Sequence, residues 1–267
     1  MTNLLTDKGL EFLRPYWKAP TAVQSIITTR NGGASAQPYQ YLNLGDHVGD
    51  LPEAVATNRA ILRKHLPSEP IWLNQVHGTS VSTPSARIVK ADAIVSNTPN
   101  EVLAIMTADC LPVLFASQSG SVVGAAHAGW RGLCNGVLEN TVHAMRTLMN
   151  LSHHSISQPR HDSIMAWLGP AIGPSAFEVG DDVVQAFQSS GNACSSSAFV
   201  AIPEKSGKYL ADIYLLARNR LESVGVQDIS GGNFCTVAEA DRFFSYRRDG
   251  VTGRFASLIW IDAPNPS

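Results

Sequence analysis

Charge of one sign, long apolar runs and cysteine are all scarce in this 267-residue chain. Charged residues make up 16% of it and nearly cancel, leaving a formal net charge of -2 and no basic run. Proteins that grip a nucleic-acid backbone cluster Lys and Arg on one face, so nucleic acid is excluded as the main partner. No stretch approaches the roughly 18 uninterrupted apolar residues of a membrane-crossing helix, so no membrane span is expected. The opening MTNLLTDKGLEF carries Asp7 and Glu11 and no apolar core, which does not fit a signal peptide. In such a chain the four cysteines (Cys110, Cys134, Cys194 and Cys235) read as free thiols or ligands, and the expected compartment is the cytoplasm. Internal repeats, low-complexity segments and linkers are missing too. One domain spanning 1–267 is therefore expected, and with no long heptad or apolar stripe it is read as a monomer.

What is present is a soluble globular composition, 44% hydrophobic, in a chain long enough to bury a sizeable core. Val23 to Thr29 and Ile71 to Val76 read as strands, the second ending at His77-Gly78. Between them a polar loop carries Tyr39, Tyr41, Asn43 and Gly45. The run Asp50-Leu51-Pro52-Glu53 then opens a helix with Asp50 as its N-cap. Ala91–Ser96, Val102–Met106, Val113–Ala116 and Ser121–Ala126 follow as short apolar strands without helices between them, which indicates antiparallel or mixed sheet. Helical spacing takes over from Leu133 and returns at Asp181–Phe187 and Ile213–Val224. The expected class is α+β, layered mixed β-sheets with flanking helices. His153, His154 and His161 sit at no metal-ligand spacing and read as a solvated connector, and Cys194 as an inert loop thiol.

The stretch from Leu103 to Leu138 concentrates the chemistry. One apolar run ends in Asp109-Cys110, the next in His127, followed by Gly129, Trp130, Arg131 and Gly132. With His77 these would form a His2Cys set, leaving a fourth position open on a zinc ion as in catalytic sites. A water in that position has its pKa lowered toward about 7. The competing reading makes Cys110 a nucleophile with a histidine base and Asp109 orienting the pair. Gly129 to Gly132 at a helix start would offer backbone N–H groups to an anion, with Arg131 adding a bidentate contact to phosphate. Arg247 and Arg248 beside Tyr246 would either serve that anion or form a solvated salt-bridged cluster.

The runs NQVHG (74–78), ADAIVSNTP (91–99), MTADCLPVLF (106–115), AAHAGWRGL (125–133), WLGPAIGPSAFEVG (167–180) and FFSYRRDGVTGR (243–254) resemble the YfiH family. Its older names are multicopper polyphenol oxidase and laccase-domain proteins, and it includes peptidoglycan editing factors. The resemblance extends from SIITTRNGG to the last strand. It implies zinc ligands at His77, Cys110 and His127, and a layered α+β fold related to toxin deamidases that use a Cys–His pair. It also implies phosphorolysis of adenosine, inosine, guanosine and methylthioadenosine, with hydrolytic deamination of adenosine. A separate implied role is amide hydrolysis that removes L-Ser from UDP-MurNAc-L-Ser.

Copper-dependent phenol oxidation ranks last. It needs several copper centres, and of the eight histidines only His77 and His127 lie in the clustered motifs. The expected protein is thus a zinc enzyme of purine nucleosides, with copper as the alternative metal and small molecules as its partners. Cys110, His77, His127 and Asp109 are its catalytic candidates; Arg131, Gly129, Asn43 and Arg247 are those for substrate or phosphate.

Overall fold

The structure is a computed structural model, and it describes residues 3–7, 9–152, 162–190 and 196–264. In chain order the first half contains β1 (Asn3–Asp7), β2 (Leu10–Arg14), β3 (Val23–Thr28), α1 (Pro52–Arg63), β4 (Val81–Ser82) and β5 (Ala93–Ser96). The central part adds β6 (Leu103–Thr107), β7 (Leu111–Ser117), β8 (Val123–Ala128), α2 (Trp130–Cys134), α3 (Val137–Ser152) and β9 (Ile164–Leu168). Then come β10 (Glu178–Gly180), α4 (Asp181–Ser189), β11 (Phe199–Ala201), β12 (Lys208–Ala211), α5 (Ile213–Ser223), β13 (Asp228–Gly231), α6 (Tyr246–Asp249) and β14 (Phe255–Ile261).

Two large sheets face each other. One has the order β1-β2-β3-β14-β6, the other β13-β9-β7-β8-β5-β4, and a small third sheet is ordered β10-β12-β11. Pairings are antiparallel except β13 with β9 and β4 with β5, so the sheets are mixed as the closely spaced strands predict. The apolar runs are continuous because both faces of their strands are covered. In β7, Leu111, Val113 and Phe115 pack toward α3 and α5, while Leu114 and Ala116 meet the opposing sheet. In β14, Phe255 and Ile259 enter the inter-sheet core and Ala256, Leu258 and Trp260 face the layer containing Leu62 of α1. A two-residue period thus sorts each strand between two cores, giving a layered α+β domain.

Several expectations need correction. Ile71 makes a single bridge to Leu103, but 72–76 is not a strand. The Gln75 side chain takes over that pairing, its amide donating to Met106 O at 2.8 Å and its Oε1 accepting from Met106 N at 2.9 Å. Asp50 does not cap α1, whose N-cap is Leu51 with no side-chain cap. Its carboxylate instead accepts from Ser35 Oγ and Asn43 Nδ2, partners the loop brings closer than the first helical turn. The hairpin β1–β2 and the three-stranded sheet were not expected. His153, His154, His161 and Cys194 lie outside the described residues. Among the described residues no helix is long and apolar enough to cross a membrane.

Candidate active site

The site forms where the chain passes from one large sheet to the other. β6 ends at Thr107 in the first sheet, a three-residue turn carries Ala108, Asp109 and Cys110, and β7 begins in the second at Leu111. Register then fixes the partner, because Pro112 lies opposite His127 and Leu111 opposite Ala128. The end of β8 is therefore beside the start of β7. His77 arrives on the irregular segment that Gln75 ties to β6. His77 and Asp109 hold positive φ values of 60° and 91°. Such backbone costs about 1–3 kcal/mol for a non-glycine residue and persists only where neighbours enforce it.

Those neighbours are identifiable. The fully buried Asp92 carboxylate accepts hydrogen bonds from the backbone N–H groups of Val76, His77 and Gly78, at 2.7 to 3.2 Å. It also takes the Nδ1 hydrogen bond of His127 at 2.8 Å. One side chain thus folds the His77 turn around itself and orients the second histidine. Asp109 ties the other side: its Oδ1 accepts from Thr236 Oγ1 and its Oδ2 from Arg247 N, both at 2.6 Å, and its carbonyl from Ile172 N. Both carboxylate oxygens of Asp109 are thereby engaged in holding the turn.

The ligand atoms of His77, Cys110 and His127 lie within 4.8 Å of one another. Cys110 Sγ is 3.7 Å from His77 Nε2, and the imidazole rings are 4.7 Å apart at an interplanar angle of 73°. Burial by itself would raise the Cys110 thiol, but the positive charge of His127 and the contact with His77 outweigh it and bring it down to about 6. Burial opposes protonation of His127, and the Cys110 thiolate with the Asp92 hydrogen bond overcomes that, raising it to about 9. For Asp92 burial is again the largest effect and raises the carboxyl. His127 and the N–H groups of Gly78 and Val76 reverse this and hold it below the ordinary range. Thiolate and imidazolium therefore stabilise each other in the metal-free protein.

These residues fit a metal ion. A thiolate and two imidazoles are the donor types of catalytic zinc sites. With Nδ1 of His127 fixed by a carboxylate, its other ring nitrogen is left for coordination, the usual arrangement around ligating histidines. Gly129 leaves the room: a Cβ there would stand 2.8 Å from His77 Cδ2 and 3.1 Å from Cys110 Sγ. Gly132 likewise admits the His77 turn, since its Cβ would meet Gly78 O at 2.8 Å. Both glycines make space for the cluster.

The cluster lies in the wall of a cavity of about 460 Å³ that Trp130, Phe177, Arg131, Arg247, Arg254 and His47 also line. Arg131 is exposed and stacks on Trp130 at 4.4 Å. Arg247 lines the cavity but stays exposed; Nη1 donates to the carbonyls of Ala176 and Glu178, and its backbone N–H to Asp109. Asn43 is the expectation that changes. It is fully buried and does not line the cavity; its amide donates to Gly45 O and Asp50 Oδ2, and its Oδ1 accepts from Gly45 N and Arg254 N. Sequence reasoning passed over Asp92, Arg254 and Gln75. All three stand inside the motif-like runs, but their roles depend on contacts with distant segments.

A family model described as multi-copper polyphenol oxidoreductase laccase matches residues 24–262. This chain belongs to that family. Among curated relatives of this laccase-like family, the Escherichia coli "Purine nucleoside phosphorylase YfiH" is 52% identical over 253 residues, covering 92% of this chain and 97% of that protein. A "Purine nucleoside phosphorylase" of Haemophilus influenzae is 47% identical over 257 residues, covering 95% of this chain and all of its own. The crystal structure of Neisseria meningitidis protein NMB0706 superposes with a TM-score of 0.84 at 50% identity, over 94% of this chain and 99% of that one. A Bacillus licheniformis protein titled YfiH matches at TM-score 0.80 and 29% identity, over 96% and 97% of the two chains. The layered α+β arrangement is therefore the family's fold.

Proposed function

We propose that this chain is a zinc-dependent purine nucleoside phosphorylase that also deaminates adenosine hydrolytically. The carrying observation is the His77–Cys110–His127 cluster in the wall of a cavity lined by three arginines and the aromatic side chains of Trp130, Phe177 and Tyr246. The names of the relatives supply the substrate class. The cavity is within the range of about 300–1,000 Å³ common for small-molecule sites.

When bound, zinc supplies Lewis-acid charge beside the reacting centre. The chain's own residues do the rest. Arginines along the cavity offer positive charge and paired N–H donors to a phosphate dianion. In phosphorolysis a phosphate oxygen bonds to C1′ of the ribose, the C1′–N9 bond breaks, and the departing purine nitrogen takes up a proton. Trp130 and Phe177 offer ring surfaces to the base, while Met106, Ile172 and Ile213 exclude water around it. In deamination water replaces the amino group at C6 and ammonia leaves, which requires the same base to present its other edge. Asp92 keeps both histidines aimed without touching substrate.

Zinc suits this donor set, whereas laccase chemistry needs several copper centres. Among the described residues only one group of three close donors exists. The test combines metal analysis with assays of adenosine, inosine, guanosine and methylthioadenosine, with and without phosphate. Zinc near one equivalent and phosphate-dependent release of base with ribose 1-phosphate are expected. Metal-loaded protein that releases no base would overturn the reading, and much faster cleavage of UDP-MurNAc-L-Ser would replace it with peptidoglycan editing.

A further inference from the structure

We infer that Arg254 is the phosphate-binding residue of this cavity, presented by a buried scaffold centred on Asn43. The inference rests on the phosphorylase reading and deepens it by naming which cation seats the anion. Three arginines line the cavity, and their surroundings differ. Arg131 is exposed, stacks on Trp130, and belongs to α2, which has only five residues and hence little dipole. Arg247 is exposed, and its guanidinium lies 5.8 Å from the Phe177 ring centroid, with Nη1 on the carbonyl oxygens of Ala176 and Glu178 across the cavity rim. Arg254 is half-buried immediately before β14, beside Asp109 and Cys110 in the same cavity.

Its placement is built from several directions. The backbone N–H donates to Asn43 Oδ1 at 2.8 Å. Asn43 is itself held by Gly45, Asp50 and the Asn58 amide, so the anchor is rigid. Gly45 lets the side chain pass, because a Cβ there would stand 2.8 Å from Arg254 Cγ. At the far end Nη1 donates to the carbonyls of Thr252 and Gly253, which fixes the guanidinium plane. Nε and Nη2 have no protein partner among the described residues, and these are the two donors of the fork that grips two oxygens of a phosphate.

Electrostatics agree. Burial is the main influence on Arg254 and lowers its pKa, against the negative charges of Cys110 and Asp109. The Asp109 oxygens are already taken by Thr236 and the Arg247 N–H, so neither pairs with Arg254. A desolvated guanidinium with spare donors is stabilised by an incoming dianion. Asn43, which the sequence placed at the substrate, is then a positioning residue acting through Arg254.

The test measures phosphate binding by calorimetry on metal-loaded protein without nucleoside, then steady-state kinetics. Arg254→Gln is expected to raise the phosphate Kd and the phosphate KM by about tenfold or more, with metal content unchanged and nucleoside KM changed by less than about twofold. A folded, metal-loaded Arg254→Gln protein whose phosphate Kd stays within about twofold of wild type would overturn the assignment. Should that variant fail to fold, wild-type protein decides. Phosphate is expected to slow phenylglyoxal modification of Arg254, mapped by mass spectrometry. Protection of Arg131 or Arg247 in its place would overturn the assignment. Protection of Arg254 in a protein with no phosphorolysis would sustain the anion seat and sink the phosphorylase reading alone.

Discussion

Cys110, Gly129 and Asp92 act on the same cluster in three different ways, and each way has its own test. Removing the thiolate in Cys110→Ala should abolish stoichiometric metal and lower nucleoside turnover by at least about a hundredfold, read by metal analysis and product release. In metal-free wild-type protein the thiol, held down to about 6, should alkylate with a midpoint near that pH, and added zinc should suppress the reaction. A midpoint near 9 would refute the charge pairing with His127. Gly129→Ala inserts a methyl 2.8 Å from His77 Cδ2, so metal affinity should fall with little change in secondary structure by circular dichroism. Asp92→Asn should weaken zinc binding about 10–100-fold, the usual cost of losing a partner behind the ligands, measured by chelator competition. The three candidate ligands were legible because each ends a strand-like apolar run, with Gly78 and Gly129 close behind the two histidines. Asp92 was not, because an aspartate ahead of a strand looks like any turn residue until its carboxylate is seen under the His77 turn.

Strand β7 is the element on which the site depends. It pairs with both β8 and β9, starts at the residue after Cys110, and buries its whole length. Leu114→Ala, which empties space between the two large sheets, should cost about 2–5 kcal/mol, seen as a shifted midpoint in chemical denaturation. A loss below about 0.5 kcal/mol would mean that the sheets do not share that core. The strand was readable from its composition. The segment 71–76 was misread because it has strand composition without strand pairing; the Gln75 amide supplies to Met106 the hydrogen bonds that a backbone neighbour would have made. Composition reports which residues tolerate extended backbone, not where the pairing partner lies.

At the scale of the whole molecule, Asp92 also links the site to stability. Its carboxyl is held below the ordinary value of 3.8, so the unfolded chain binds the proton more readily than the folded one. Its contribution is therefore fully present above the unfolded value and is lost as pH falls through the lower folded value. Acid unfolding followed below about pH 4 should be less steep in Asp92→Asn than in wild type. An identical slope would show that other carboxylates carry the acid sensitivity.

The sequence by itself determined the α+β class, the mixed strand pairing, and the three metal-ligand candidates, because these follow from local composition and from residue types with few alternative uses. The tertiary structure decided everything that requires two distant segments. It turned Asn43 from a substrate contact into the anchor of Arg254, tied the Arg247 backbone to Asp109 at the cavity edge, and set Asp92 beneath both histidines. Asp92 and His127 stand 35 positions apart, and Asp109 and Arg247 stand 138 apart. No local pattern encodes such contacts; the register of β7 against β8 and the closure of one sheet on the other create them.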